Sequence, residues 1–315
     1  MKRILLIRGG AIGDFVLTLP AIKLMRDRFP ESHLEILGYK HIIALAENRG
    51  YANATRSIEY AALASFFARN ADLPSELADY FARFDLIVSY LFDPDAIFER
   101  NLKRCGVENF IIGPAKIAAN GIHAAQQLMQ PMAELGLSST DLAACLYPTE
   151  ADRIFAQEFL GDVDAPLVAI HPGSGGENKN WPIDRWIELI NSLDPEFGFL
   201  LVSGEADKER TVRLHSSTVE KRVLLASQLP LPHLAAILGR CRLFIGHDSG
   251  ISHIAAAVGT PNLLLFGPTD PRIWSPIGEH VRVLSAPEKA MAGLSVERVI
   301  ANAANLLGAQ KSLRA

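Results

Sequence analysis

Residues His171-Pro172-Gly173-Ser174-Gly175-Gly176-Glu177-Asn178-Lys179-Asn180-Trp181-Pro182 follow an apolar run directly. The glycines and Ser174 leave backbone N–H groups open to an anion, and Lys179 carries a positive charge on a long stem. No G-K-[ST] is present, so this is not a Walker A loop. The competing reading is a plain turn with a solvated lysine. A second polar loop, His247-Asp248-Ser249-Gly250, opens a small-residue helix from Ile251 to Val258. N–H groups at such a helix start suit a diphosphate. His253, one turn into that helix, either points back at the same anion or is structural. Asp248 would repel an anion, so it either caps the helix or accepts a hydrogen bond from a sugar hydroxyl.

Asp14 ends a glycine-rich turn, Arg8-Gly9-Gly10-Ala11-Ile12-Gly13-Asp14. It is either an ordinary helix cap or a general base, since a carboxylate in reach of a hydroxyl can take its proton. Glu205, after Ser203-Gly204, sits where a carboxylate often holds ribose hydroxyls. Trp181 and Trp186 read as packing residues rather than ligand-stacking ones.

These loops need strands and helices to position them. Arg3–Ile7 reads as a strand and Phe15–Arg28 as a helix bent at Pro20. Further strands are expected at 34–37, 85–89 and 110–112, with helices at 61–68, 73–82 and 122–135. Residues 136–165 change character around a helix near Asp152–Phe159 and read as the interdomain connection. Strands then recur at 167–170, 199–202, 223–225, 243–245 and 262–266, alternating with helices at 182–193, 208–216 and 231–238. Such α/β alternation implies mostly parallel sheets with helices on both faces. The expectation is two Rossmann-like domains facing across a cleft, 1–160 and 161–315. Whether the last helix, 294–307, packs back on the first domain is left open. The candidate loops fall after strand ends, where ligands sit in open α/β sheets. The turn at Gly9, Gly10 and Gly13 departs from G-x-G-x-x-G, which weakens a dehydrogenase reading.

The chain has 315 residues, 49% hydrophobic and 21% charged, with a net charge of −4. That composition is globular, and the charge argues against general nucleic-acid binding. Cys105, Cys145 and Cys241 have neither metal-ligand spacing nor an even count, so they read as small buried residues in a reducing compartment. The apolar run Ile4–Ile7 is too short for a signal peptide, and no run approaches the ~18 residues of a membrane span. A cytoplasmic protein with at most peripheral membrane contact is expected. The N-terminal half shows no obvious basic cluster.

Four motifs together resemble glycosyltransferase family nine, the heptosyltransferase-like family of lipopolysaccharide assembly. They are Arg8, Gly13, Asp14 and Pro20; His171 through Pro182; Val202-Ser203-Gly204-Glu205 with Asp207-Lys208-Glu209; and Asp248-Ser249-Gly250 with Ser252, His253, Ala256 and Ala257, followed by Gly259-Thr260-Pro261 and Phe266-Gly267-Pro268-Thr269-Asp270. Ser249 stands where heptosyltransferases commonly carry threonine. The match covers the first ~30 residues and most of the C-terminal half, judged by residue-type spacing. The resemblance implies a GT-B fold and metal-independent, inverting transfer from a nucleotide-diphosphate sugar, with ADP-heptose as the expected donor, to a lipid-linked saccharide acceptor such as lipopolysaccharide core. By similarity, Asp14 is the base on an acceptor-side loop with Arg8, Gly10 and Gly13. Ser174, Gly175 and Lys179 meet the phosphates, Glu205 the ribose, and Leu229 the base. Asp248, Ser249, Gly250 and His253 meet the diphosphate or its sugar. Lys179 would offset leaving-group charge, and neither a metal nor another cofactor is expected. The alternatives are a sugar-nucleotide epimerase or hydrolase on the same scaffold, or a non-catalytic nucleotide-sugar binder.

Overall fold

The computed structural model describes residues 2–161, 165–204, 207–218 and 221–312, with side chains as far as residue 308. Contacts divide the chain into two units, Met1–Leu142 and Ala143–Ala315. The division falls before the helix Glu150–Leu160 rather than at the 160/161 boundary expected from sequence. That helix packs against Leu231–Leu238 of the second unit, so it belongs there.

The first unit is a five-stranded sheet: β1 (Arg3–Arg8), β2 (His33–Gly38), β3 (Ala54–Ser57), β4 (Leu86–Ser89) and β5 (Phe110–Ile112). Every pairing is parallel, in the order β3-β2-β1-β4-β5. Ile4–Ile7 are fully buried, which suits a central strand covered on both faces. The chain then turns directly into the helix Ile12–Arg28, which runs through Pro20. An aromatic cluster of Phe66, Phe81 and Phe98 fills one side of this sheet.

The second unit is a six-stranded sheet: β6 (Leu167–Ile170), β7 (Gly198–Ser203), β8 (Val223–Ser227), β9 (Leu243–His247), β10 (Asn262–Phe266) and β11 (Val281–Ser285). Its order is β11-β10-β9-β6-β7-β8, again parallel throughout. Counted from β6, this is the doubly wound order of a dinucleotide-binding sheet. Strand order reverses between β6 and β9, the switch point beyond whose carboxyl ends ligands sit in open α/β sheets. The last helix, Val296–Ser312, packs on the helix Ile183–Ser192 and on β9 within this unit.

Two strands were not expected from sequence. β3 is a half-buried edge strand of Ala54, Thr55, Arg56 and Ser57, with no apolar run to betray it. β11 alternates Val281, Arg282 and Val283, the weak signature of an edge with one wet face. Trp181 and Trp186 are fully buried and meet edge-on at 5.2 Å, as packing residues. Trp186 Nε1 has no hydrogen-bond partner among the described residues. Trp186→Ala should therefore cost about 3–5 kcal/mol in chemical denaturation through the cavity it leaves. Trp186→Phe should cost much less, since the ring is largely kept and an unsatisfied N–H is removed.

Candidate functional site

In the second unit, β6 runs into the loop His171–Pro182 and β9 into His247–Gly250. These strands are adjacent, so their loops share the switch point. The fully buried His247 joins them. Its Nε2 accepts from the Trp181 N–H at 2.9 Å, and its Nδ1 lies 3.3 Å from the Gly173 carbonyl. The first bond requires a bare Nε2, so the proton sits on Nδ1 and is donated to Gly173. Burial holds the ring neutral, pushing its pKa down to about 3 against the pull of that carbonyl.

Lys179 lies in a single turn, Glu177–Lys179. Its Nζ reaches Asp248 Oδ2 at 2.7 Å across the two loops, and both side chains are largely buried. That contact gives the Asp248 carboxylate its partner: it holds the lysine. It does not cap the helix. Ser249 is the N-cap of the helix Gly250–Ala257, accepting from the Ser252 N–H. Ser249 Oγ also lies 3.3 Å from Nδ1 of the buried His171, whose Nε2 is 2.8 Å from Asp207 Oδ2. Asp207 Oδ1 accepts from the Gly204 N–H at 2.9 Å. Burial opposes the Asp207 charge, but the His171 ring and backbone N–H groups outweigh it and hold its pKa below the carboxylate norm.

Ser174 is half-buried, and its hydroxyl can reach the Gly176 carbonyl or Asn180 Oδ1 within its own loop. Gly175 is exposed and faces open space. A recess of about 330 Å³ is lined by Ser174, Asn180, Asp207 and Arg210 among others. His253 is buried in its helix. Leu229 is half-buried, just after Gln228, whose φ of 52° is left-handed. A non-glycine residue held there marks a strained turn. Glu205 lies outside the described residues.

In the first unit, the turn after β1 presents Asp14 in the first turn of the Ile12–Arg28 helix. Its carboxylate does two things. Oδ2 accepts from the Ala11 N–H at 2.9 Å as a cap, while Oδ1 lies 3.6 Å from Arg8 Nη2. Asp14 is about a third exposed, at 32% of its side chain. Arg8 is buried; its Nε donates to Thr18 Oγ1 and its guanidinium lies 5.7 Å from the Tyr90 ring centre. Gly10 has a φ of 97°, and a Cβ there would fall 2.8 Å from Asp14 Oδ2. The glycine is thus required by both backbone and carboxylate. Gly13 lies inside the helix beside Asp14.

The expectation of no basic cluster in this half is corrected. Arg69, Arg100 and Arg104 line one recess of about 380 Å³ with Asn70 and Asn101. Arg100 and Arg104 are one turn apart on the helix Ile97–Arg104, and tertiary folding brings Arg69 to them. Separation in sequence hid the group. Sequence reasoning placed His171, Asp207 and His247 in the candidate loops but gave none of them a role. The pattern of polar residues immediately after β6, β7 and β9 was the available signal.

Two doubly wound parallel sheets define a two-domain α/β protein. Residues 118–303 match the family model for glycosyltransferase family 9 (heptosyltransferase), and the chain belongs to that family. It is 30% identical over 164 residues to lipopolysaccharide heptosyltransferase 1 of Escherichia coli K12, covering 50% of each chain. The match thus spans about half the length of that relative. It is 26% identical over 300 residues to lipopolysaccharide heptosyltransferase 3 of the same strain, covering 85% of this chain and 83% of the relative. The structure of E. coli ADP-heptose lps heptosyltransferase II superposes with a TM-score of 0.80 at 17% identity, covering 99% and 100%. The fold is α/β, of the GT-B class.

The neutral His247 gives a stability signature. The unfolded chain binds a proton at this histidine below its ordinary pKa of 6.5, while the folded one resists to about 3. Stability should therefore fall as pH drops below about 6.5. Denaturation midpoints at pH 7.5 and 5, in wild type and His247→Gln, check this. The variant should be less stable at the higher pH but lose less on acidification.

Proposed function

We propose that the chain is an inverting glycosyltransferase moving heptose from ADP-heptose to a lipid-linked saccharide such as lipopolysaccharide core, without a metal ion. The observation that carries this reading is the Lys179 ammonium, fixed by Asp248 beside the start of the Gly250–Ala257 helix at the switch point. Family membership supports glycosyl transfer. The donor is proposed from the likeness in fold to the E. coli ADP-heptose lps heptosyltransferase II, and the acceptor from the lipopolysaccharide heptosyltransferases of E. coli.

In this reading the second unit binds the donor. Lys179, the N–H groups near Ser174 and Gly175, and the helix start at Ser249 and Gly250 receive the diphosphate. Asp248 and His253 border the phosphates or the sugar. Leu229 packs on the base, and Glu205 holds the ribose. The first unit supplies Asp14 as general base. The acceptor oxygen attacks the anomeric carbon opposite the diphosphate, its proton passes to Asp14, and the bond to the diphosphate breaks in the same displacement. The leaving group carries growing negative charge, which Lys179 and the oriented N–H groups stabilise at their existing positions. The buried Arg8 steadies the Asp14 carboxylate, and Gly10 and Gly13 leave it room. The recess of Arg69, Arg100 and Arg104 suits an anionic group on the acceptor. Among the described residues no helix is long and apolar enough to cross a membrane. Contact with the cytoplasmic face of the inner membrane would be peripheral, through the lipid of the acceptor.

The deciding experiment measures transfer from ADP-heptose to a lipopolysaccharide-core acceptor, with and without EDTA. The rate should be unaffected by EDTA, and Asp14→Asn should lower it about 100-fold or more with ADP affinity kept. Lys179→Ala should lower kcat by about 100-fold, more than it weakens ADP binding. Free sugar or an epimer formed equally without acceptor would replace transfer by hydrolysis or epimerisation. ADP-heptose binding with no turnover would leave only a binder. For the acceptor, Arg100→Ala with Arg104→Ala should raise its KM about tenfold at unchanged kcat, through loss of charge-assisted contacts. An unchanged KM would remove the recess from the acceptor site.

A further inference from the structure

Three buried or half-buried groups at the switch point lie in a line: Asp207, His171 and Ser249. His171 Nε2 is 2.8 Å from Asp207 Oδ2, and its Nδ1 is 3.3 Å from Ser249 Oγ. Each comes from a different segment: the end of β6, the turn after β7 and the end of β9. The backbone is fitted to the arrangement. A Cβ on Gly173 would fall 2.3 Å from the Asp207 Cβ, so only glycine admits the carboxylate here.

The protons can be assigned. With Asp207 ionised, the His171 proton belongs on Nε2, facing the carboxylate. Nδ1 is then a bare acceptor, and the Ser249 hydroxyl is its nearby donor. Ser249 Oγ also lies 3.1 Å from Ser252 Oγ, whose own proton goes to the His247 carbonyl. The single Ser249 proton is thus drawn inward. Asp207 Oδ2 is buried and, despite the short distance, receives no in-line hydrogen bond. The pair is in place but not fully engaged.

We propose that Asp207 and His171 are positioning residues that switch the Ser249 hydroxyl outward onto a phosphate oxygen of a nucleoside diphosphate, with His171 taking up a proton as the anion binds. This rests on the donor-site reading above. Protonated His171 donates from Nδ1 to Ser249 Oγ, which frees the Ser249 O–H for the ligand, and from Nε2 to Asp207. The proton comes from solvent on binding and returns to it on release, so the cycle is balanced. The imidazolium adds positive charge one hydroxyl away from the leaving group, alongside Lys179.

The surroundings favour His171 as the group that responds. His247, on β9, has both ring nitrogens satisfied and is held neutral by burial. Arg210, on the helix Lys208–Ser216, opposes a second positive charge, but it is ion-paired to Glu177. Lys179 is offset by Asp248. Asp207 is the one of these carboxylates aimed at the His171 ring. A diphosphate arriving at Ser249 adds negative charge and tips the balance toward imidazolium.

Calorimetric titration with ADP at about pH 8, where the phosphates are fully ionised, tests this. Titrations in buffers of different ionisation enthalpy report the protons taken up. Wild type should take up a measurable fraction of a proton. Asp207→Asn and His171→Gln should abolish that uptake and weaken ADP binding about tenfold, with melting curves confirming the fold. Ser249→Ala should weaken binding similarly, and adding Asp207→Asn to it should cost little more, because the two act through one bond. Absent uptake in wild type, uptake preserved in both ring-pair variants, or additive losses would each overturn the relay. A wild type that binds none of ADP, GDP, UDP or CDP would instead overturn the donor-site reading.

Discussion

The neutral, fully buried His247 is the fastening on which the two converging loops of the second unit depend. It accepts from the backbone of Trp181 and donates to the backbone of Gly173, so it grips the His171–Pro182 loop near both ends. Its own strand, β9, leads straight into Asp248 and Ser249. One ring therefore sets the register between the two loops that converge at the switch point. Trp186 meets it edge-on at 5.4 Å, full burial keeps the ring uncharged, and the two backbone bonds fix its tautomer.

With that register set, a loop rich in glycine becomes a defined site. Free glycines alone would leave Lys179 mobile on a flexible stem. Asp248 fixes it at 2.7 Å, and the second carboxylate, Asp207, is anchored by the Gly204 N–H and faces His171. The Lys179–Asp248 pair is charged yet internally compensated, which lets it be largely buried without an unpaired charge. A ligand anion can then be met by donors already in place.

The first unit solves a simpler problem by similar means. Asp14 divides its two oxygens between a backbone cap and the neighbourhood of Arg8. The cap reading and the base reading of this residue are therefore compatible, because the cap uses one oxygen. Burial lowers the Arg8 pKa, while Asp14 and Tyr90 favour its charge. The Gly10 turn exists because a side chain there would collide with the same carboxylate.

Much of this was legible in the chain. Continuous apolar runs such as Ile4–Ile7 and Leu263–Phe266 marked central parallel strands, because strands covered on both faces need no polar alternation. Loop chemistry was legible too, since glycines, a lysine and small polar residues fell immediately after those strands. Edge strands β3 and β11 were not, because an edge is half wet and its residues carry little periodic signal. Nor could sequence assign partners. That Lys179 meets Asp248, that His171 joins Asp207 to Ser249, and that Arg69 meets Arg100 and Arg104 are contacts between segments far apart in the chain. Local residue types determined which strands and loops would form. Only the order of strands in each sheet decided which loops became neighbours, because hydrogen-bonded pairing between distant strands places their ends side by side.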